Sequence, residues 1–172
     1  LSRWDRQIER SSFVESARDV LQLFTSGFQL SSIDEIPKIG PLLAVANHPG
    51  LADSIGAIVT VGREDVQVVV ERKEFFRVLP NINRHLLTIE ADTSLRLDAM
   101  RQIIQCLKDD KAVIIFPSGR LEPEPSLMPG AVDALEQWSA SVGIFLSKVP
   151  ETRLVPILIS QTLSPKAWHS WP

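Results

Sequence analysis

Hydrophobic positions along the chain follow two rhythms. Over the first thirty residues Phe13, Val14, Ala17, Val20, Leu21 and Phe24 recur at three and four positions, while Arg10, Glu15, Arg18 and Asp19 fall on the other side. That spacing predicts one amphipathic helix packed on a core. Beyond it come short, nearly unbroken apolar runs at 42–46, 66–70, 86–89, 112–116 and 154–159. Runs of this length, bounded by proline, glycine and charge, suit strands covered on both faces. Helical spacing returns between them, at 55–61 and most clearly over 95–107, where Thr93 or Ser94 can supply the N-cap and Asp109 and Asp110 lead into the next run. Alternating strands and helices predict an α/β fold: a single domain whose largely parallel central sheet is flanked by helices, with ligands gathering outside the carboxyl ends of the strands. The pattern divides into an N-terminal helical segment over 1–37, a core over 38–160 and a tail over 161–172.

Composition narrows the class. At 172 residues, 44% hydrophobic and 23% charged, the chain has the size and balance of one globular domain. Eighteen basic and twenty-one acidic residues nearly cancel, and neither sign forms a long run, so the electrostatic footprint of a nucleic-acid binder is missing. Asn47, His48, Pro49 and Asp53 interrupt the best membrane-spanning candidate, at 41–61, well short of the roughly 20 apolar residues that a span needs. The single cysteine, Cys106, falls among Met100, Ile103, Ile104 and Leu107 at helical spacing, which marks a core thiol rather than a nucleophile. The four tryptophans, Trp4, Trp138, Trp168 and Trp171, lie mostly toward the ends, where their amphipathic rings suit either a core or a lipid interface.

The best chemical candidates sit just past the first apolar run, in Asn47-His48-Pro49-Gly50-Leu51-Ala52-Asp53. Pro49 and Gly50 impose a turn, and a turn can bring a carboxylate five residues on back to the imidazole. A carboxylate on one ring nitrogen fixes the tautomer and stabilises the imidazolium formed when the other nitrogen takes a proton, so His48 can be a general base and Asp53 its orienter. The same spacing also suits a plain helix cap at Asp53 with a locally satisfied His48.

Two further strand ends offer anion seats. Phe116-Pro117-Ser118-Gly119-Arg120 combines a turn's backbone N–H groups with a guanidinium, and Arg72 and Lys73 follow the run at 66–70. Either can equally be a solvated surface segment. A serine hydrolase is disfavoured, since no Gly-x-Ser-x-Gly elbow occurs. Zinc chemistry is disfavoured too: His48, His85 and His169 are scattered, no His-Glu-x-x-His pair exists, and no metal site is expected.

Taken in order, Asn47-His48 with Asp53, Lys73-Glu74-Phe75-Phe76, Phe116-Pro117-Ser118-Gly119 and Val155-Pro156-Ile157 are similar to the motifs of the glycerolipid and lysophospholipid acyltransferase family, a resemblance over about residues 38–160. The resemblance implies an acyltransferase of phospholipid biosynthesis. It would move a fatty acyl group from acyl-coenzyme A or acyl carrier protein, a co-substrate rather than a cofactor, to a hydroxyl of a glycerol phosphate, lysophospholipid or related lipid. His48 would be the base and Asp53 its partner, with Asn47, Arg72, Lys73, Ser118, Gly119 and Arg120 at the substrates. It also implies a cytoplasmic protein in peripheral contact with a membrane surface, without nucleic-acid partners. The chain departs from the family at two motifs. The third usually reads Phe-Pro-Glu-Gly-Thr-Arg, whereas here Ser118, Arg120 and Leu121 stand for the glutamate, threonine and arginine. The second aligns with Leu86-Leu87-Thr88-Ile89-Glu90-Ala91, with Ala91 at an arginine position. These losses of phosphate anchors leave the acceptor open, and they admit an alternative, a binding domain that keeps the fold with weak or no catalysis.

Overall fold

The apolar runs form five parallel strands, four with apolar side chains on both faces of the sheet and the last, at 153–157, packed on one face only. The structure, a computed structural model, describes residues 1–50, 52–89 and 93–162. Its strands are β1 (Leu42–Ala46), β2 (Gln67–Glu71), β3 (Leu86–Ile89), β4 (Ala112–Ile115) and β5 (Arg153–Ile157). They lie side by side in the order β3-β2-β4-β1-β5, all pairs parallel. The helices are α1 (Ser2–Ile8), α2 (Phe13–Phe24), α3 (Asp53–Val61), α4 (Pro80–Asn83), α5 (Thr93–Lys108), α6 (Ala131–Leu135) and α7 (Ser141–Lys148).

Strand side chains alternate between two cores even where the sequence is apolar throughout. Leu42, Ala44 and Ala46 of β1, with Ala112 and Ile114 of β4, pack with α1, α2 and α3 through Trp4, Phe13, Leu21 and Ile58. The intervening Leu43, Val45, Val113 and Ile115 face the other way, onto Ile103 and Leu107 of α5 and Phe145 of α7. Each such Val, Leu, Ile or Phe side chain, fully buried, contributes about 1.5 to 3 kcal/mol. The central strands β1 and β4 are buried along their whole length. On β5, which pairs with β1 alone among the described residues, Pro156 is tolerated because an edge strand needs no second ladder.

The N-terminal segment corrects the expectation of one helix. It breaks at Ser11-Ser12, where Ser12 becomes the N-cap of α2 and its hydroxyl accepts from Glu15 N at 3.2 Å. The Glu64 carboxylate takes the next two donors, Phe13 N at 2.9 Å and Val14 N at 3.1 Å. Four orphan N–H groups are the cost of starting a helix, and here one side chain from a distant turn satisfies two of them. Phe24 differs from the expected buried stripe and is 69% exposed. Trp4 belongs to the core: it is buried, stacks on Phe13 and donates from Nε1 to Ser16 Oγ at 3.0 Å.

The helices predicted at 55–61 and 95–107 form as α3 and α5 with small shifts, whereas α4, α6 and α7 were not predicted. α3 starts at Asp53 and ends at Gly62, whose φ of 62° lets its N–H reach back to the Ile58 carbonyl. α5 starts at Thr93; the Thr93 and Ser94 side chains expected as caps lie outside the described residues, as do Glu90, Ala91, Trp168, His169 and Trp171. Cys106 is half-buried against the second core, and burial pushes its thiol pKa up. His85 stacks on Phe13 with ring centroids 3.8 Å apart, and burial holds its pKa below 6.5 although Nδ1 is bonded to the Val66 carbonyl. Among the described residues, no helix is long and apolar enough to cross a membrane.

Candidate active site

The strand order brings two loops together. The chain runs from β1 outward through β2 to β3, then returns to insert β4 beside β1 before adding β5 on the other side. Such a reversal opens a crevice at the carboxyl ends of the strands around the switch. The loop after β1 carries His48, the loop after the neighbouring β4 begins with Phe116, and the two rings meet with centroids 4.7 Å apart.

Pro49 and Gly50 turn the chain so that His48 Nδ1 lies 2.7 Å from Asp53 Oδ2. The same carboxylate oxygen accepts from Gly50 N at 2.9 Å, while Oδ1 accepts from Ser54 N at 2.8 Å. Every partner of Asp53 is therefore a donor. A carboxylate so placed is an acceptor on both oxygens, which assigns the proton of the neutral imidazole to Nδ1. Nε2 is left as the acceptor, and among the described residues it has no partner. The Asp53 side chain is 0% exposed and that of His48 is 28% exposed, so the carboxylate is sealed in while the imidazole is partly open to solvent. Asp53 is the first residue of α3, behind Ala52 at the N-cap, and its Oδ1 takes the Ser54 N–H, so one carboxylate serves both the helix start and the imidazole.

The other expected site residues occupy distinct places. Asn47 is buried, and its amide pairs with the backbone of residue 159: Nδ2 donates to the Ile159 carbonyl at 2.8 Å and Oδ1 accepts from Ile159 N at 2.7 Å. The pair ties the His48 loop to the segment after β5. Gly119 has a φ of 65° and donates to the Phe116 carbonyl at 3.0 Å, closing a tight turn that a side chain would strain. Ser118 Oγ donates to the Arg120 carbonyl at 2.8 Å, and the Arg120 guanidinium hydrogen-bonds the Gln137 side chain beyond α6. These residues line a small cavity of 460 Å³ with Glu122 and Asp133. Lys73 pairs with Glu71 at 2.8 Å on the exposed end of β2, and Arg72 N donates to the Ile89 carbonyl at 2.9 Å. The structure thus joins His48 to Asp53 and Phe116, and sets Lys73 and Arg120 at other points of the strand-end surface.

Two buried acids were not anticipated. Glu122 accepts from His48 N at 2.7 Å through Oε2 and from Trp138 Nε1 at 2.8 Å through Oε1, and its own N–H donates to the His48 carbonyl at 2.8 Å. Glu124, 0% exposed, accepts from Ser126 N at 2.9 Å and Ser126 Oγ at 2.5 Å, and also from Gln161 N. Both stand in Leu121-Glu122-Pro123-Glu124-Pro125, where a proline-flanked acidic stretch carries no pattern that says its carboxylates turn inward.

Beside this site runs a cleft of 1870 Å³, bordered by Phe28, Ile36, Ala52, Gly56 and Leu158 and reaching Asp53. Comparison with known proteins follows the same lines. A family model described as Acyltransferase matches residues 27–160, starting earlier than the motifs alone suggest. A search of curated proteins by sequence found no match. The fold is similar to the crystal structure of the 1-acyl-sn-glycerophosphate (LPA) acyltransferase, PlsC, from Thermotoga maritima, with a TM-score of 0.59 and 19% identity over 88% of this chain. The chain spans 59% of the length of that structure.

Proposed function

Because the chain belongs to the acyltransferase family, we propose that it passes a fatty acyl group from an acyl thioester to the hydroxyl of a lipid acceptor, with His48 as general base. The observation that carries this reading is the 2.7 Å contact of His48 Nδ1 with the sealed Asp53 carboxylate, in an imidazole that is partly open to solvent. The acceptor hydroxyl gives its proton to Nε2 as its oxygen attacks the thioester carbonyl carbon. The tetrahedral intermediate collapses, the carbon–sulfur bond breaks, and the departing sulfur takes the proton back from the imidazolium. No acyl-enzyme is needed. Proton transfer of this kind is worth about 10² to 10⁴ in rate, so holding both substrates in place supplies much of the remainder. The cleft beside α3, with Phe28, Ile36 and Leu158 on its walls, offers room for a fatty chain.

For the acceptor, we favour a lysophospholipid or related glycerolipid. Arg120 is already hydrogen-bonded to Gln137, and Ala91 replaces an arginine, so the anchors that would hold glycerol 3-phosphate are reduced. The Thermotoga maritima protein, titled an LPA acyltransferase, makes lysophosphatidate a natural member of the test panel. The donor is an acyl thioester of coenzyme A or carrier protein, and the work is done in peripheral contact with the lipid surface. The test is an acceptor panel at fixed palmitoyl-coenzyme A, with the lipid product identified by mass spectrometry. A lysolipid product is expected to form faster than the product of glycerol 3-phosphate. Thiol release that no lipid hydroxyl accelerates would contradict the proposal.

A further inference from the structure

Glu122 is a buried carboxylate held between the backbone of the catalytic base and the Trp138 indole. Resting on the acyl-transfer reading, the geometry points to Glu122 as a positioning residue: its side chain and main chain together clamp residue 48, so that the imidazole is delivered to Asp53 with Nε2 facing the substrate.

Residue 48 makes two main-chain hydrogen bonds to Glu122, one through its N–H to the carboxylate at 2.7 Å and one through its carbonyl to Glu122 N at 2.8 Å. Fixing both sides of one α-carbon leaves the ring little freedom beyond its own two torsions. Those are set by Asp53 on one side and by the Phe116 ring on the other. The second carboxylate oxygen is held by the Trp138 indole at 2.8 Å, which stops the clamp from rotating. Glu122 is only 7% exposed, and its side-chain partners among the described residues are N–H donors rather than a lysine or arginine. An uncompensated carboxylate this deep is costly unless its charge-assisted hydrogen bonds are made. Plain loop closure does not need that charge, since a neutral side chain would satisfy a single N–H. A carboxylate is needed where two donors, His48 N–H and the Trp138 indole, must be taken by two oxygens at once. Glu122 also borders the small cavity with Ser118 and Arg120, and its bond to the base runs through the His48 backbone.

The test compares Glu122→Ala and Glu122→Gln with the wild-type chain, alone and combined with His48→Ala. Alanine removes both acceptors. Glutamine keeps one, and its NH₂ then faces the other donor. We expect kcat to fall about 10- to 100-fold in Glu122→Ala, less in Glu122→Gln, with KM for either substrate changed by less than about threefold. In the His48→Ala background the same changes should have no further effect on the residual rate, because a residue that acts through His48 has nothing left to position. A readout free of turnover is the downfield proton NMR signal of His48 Nδ1–H, which should broaden or vanish in Glu122→Ala and survive in Glu122→Gln. An unchanged kcat and signal in Glu122→Ala would overturn the inference, and so would a loss that persists in full without His48. Should the alanine variant not fold, the glutamine variant decides by kcat: a value equal to that of the wild-type chain counts against the clamp. Failure of the acyl-transfer reading is distinct, since it would show as full activity in His48→Ala, whereas the NMR signal reports on the clamp whatever reaction is catalysed.

Discussion

Asp53 is surrounded by three N–H donors, from the His48 ring, Gly50 and Ser54, and no acceptor faces it. This inventory makes a sharp prediction for Asp53→Asn, a change of one atom. The amide must turn its NH₂ toward one of those donors. If it faces the ring, Nδ1 must become the acceptor and the proton moves to Nε2, which can no longer take one from a hydroxyl. We expect kcat for thiol release to fall by about 10² to 10⁴, with the fold retained by circular dichroism. A variant that keeps the wild-type kcat would reduce Asp53 to a structural residue at the start of α3. At this scale the sequence offers His48 and Asp53 with two roles for the carboxylate, and the structure gives it both contacts, the imidazole through Oδ2 and the Ser54 N–H at the start of α3 through Oδ1.

The elements succeed where burial alone decides and shift where a distant side chain intervenes. The five apolar runs became strands because each lies in or beside a sheet with a core on both faces, so continuous hydrophobicity was a sufficient signal. The N-terminal helix split because Ser12 and Glu64 satisfy a new helix end. Ser12 with Glu15 three residues on is a local start signal that the apolar spacing overshadowed, while Glu64 is fifty residues away and invisible to any local pattern. Asn47 shows the same limit. Its two bonds to Ile159 link segments 112 residues apart, and they tie the end of β5 to the His48 loop. Asn47→Ala should therefore lower stability by about 1 to 3 kcal/mol in urea unfolding, because Ile159 loses both partners in a partly buried place. A loss below about 0.5 kcal/mol would mean that water replaces the amide and that the tie is weak.

At the scale of the molecule, chain order turns scattered motifs into one place. β4 returns to lie between β2 and β1, and that insertion alone sets Phe116 against His48 and carries Glu122 to its backbone. Fold class and the position of the site were legible because strand–helix alternation implies a parallel sheet, and parallel sheets gather ligands at their carboxyl ends. Strand order was not legible, and neither was the inward turn of Glu122 and Glu124, since both depend on which loops the sheet makes neighbours. At the expected anion seat the turn at Gly119 forms, and the Arg120 guanidinium gives one of its five N–H donors to Gln137. The account rests on His48 as the base. The most direct measurement is the rate of thiol release from palmitoyl-coenzyme A in the presence of a lysolipid, compared between the wild-type chain and His48→Ala at equal protein concentration. We predict a loss of about 10² to 10⁴ in kcat for a variant that remains folded; His48→Ala turning over at the wild-type rate would contradict it.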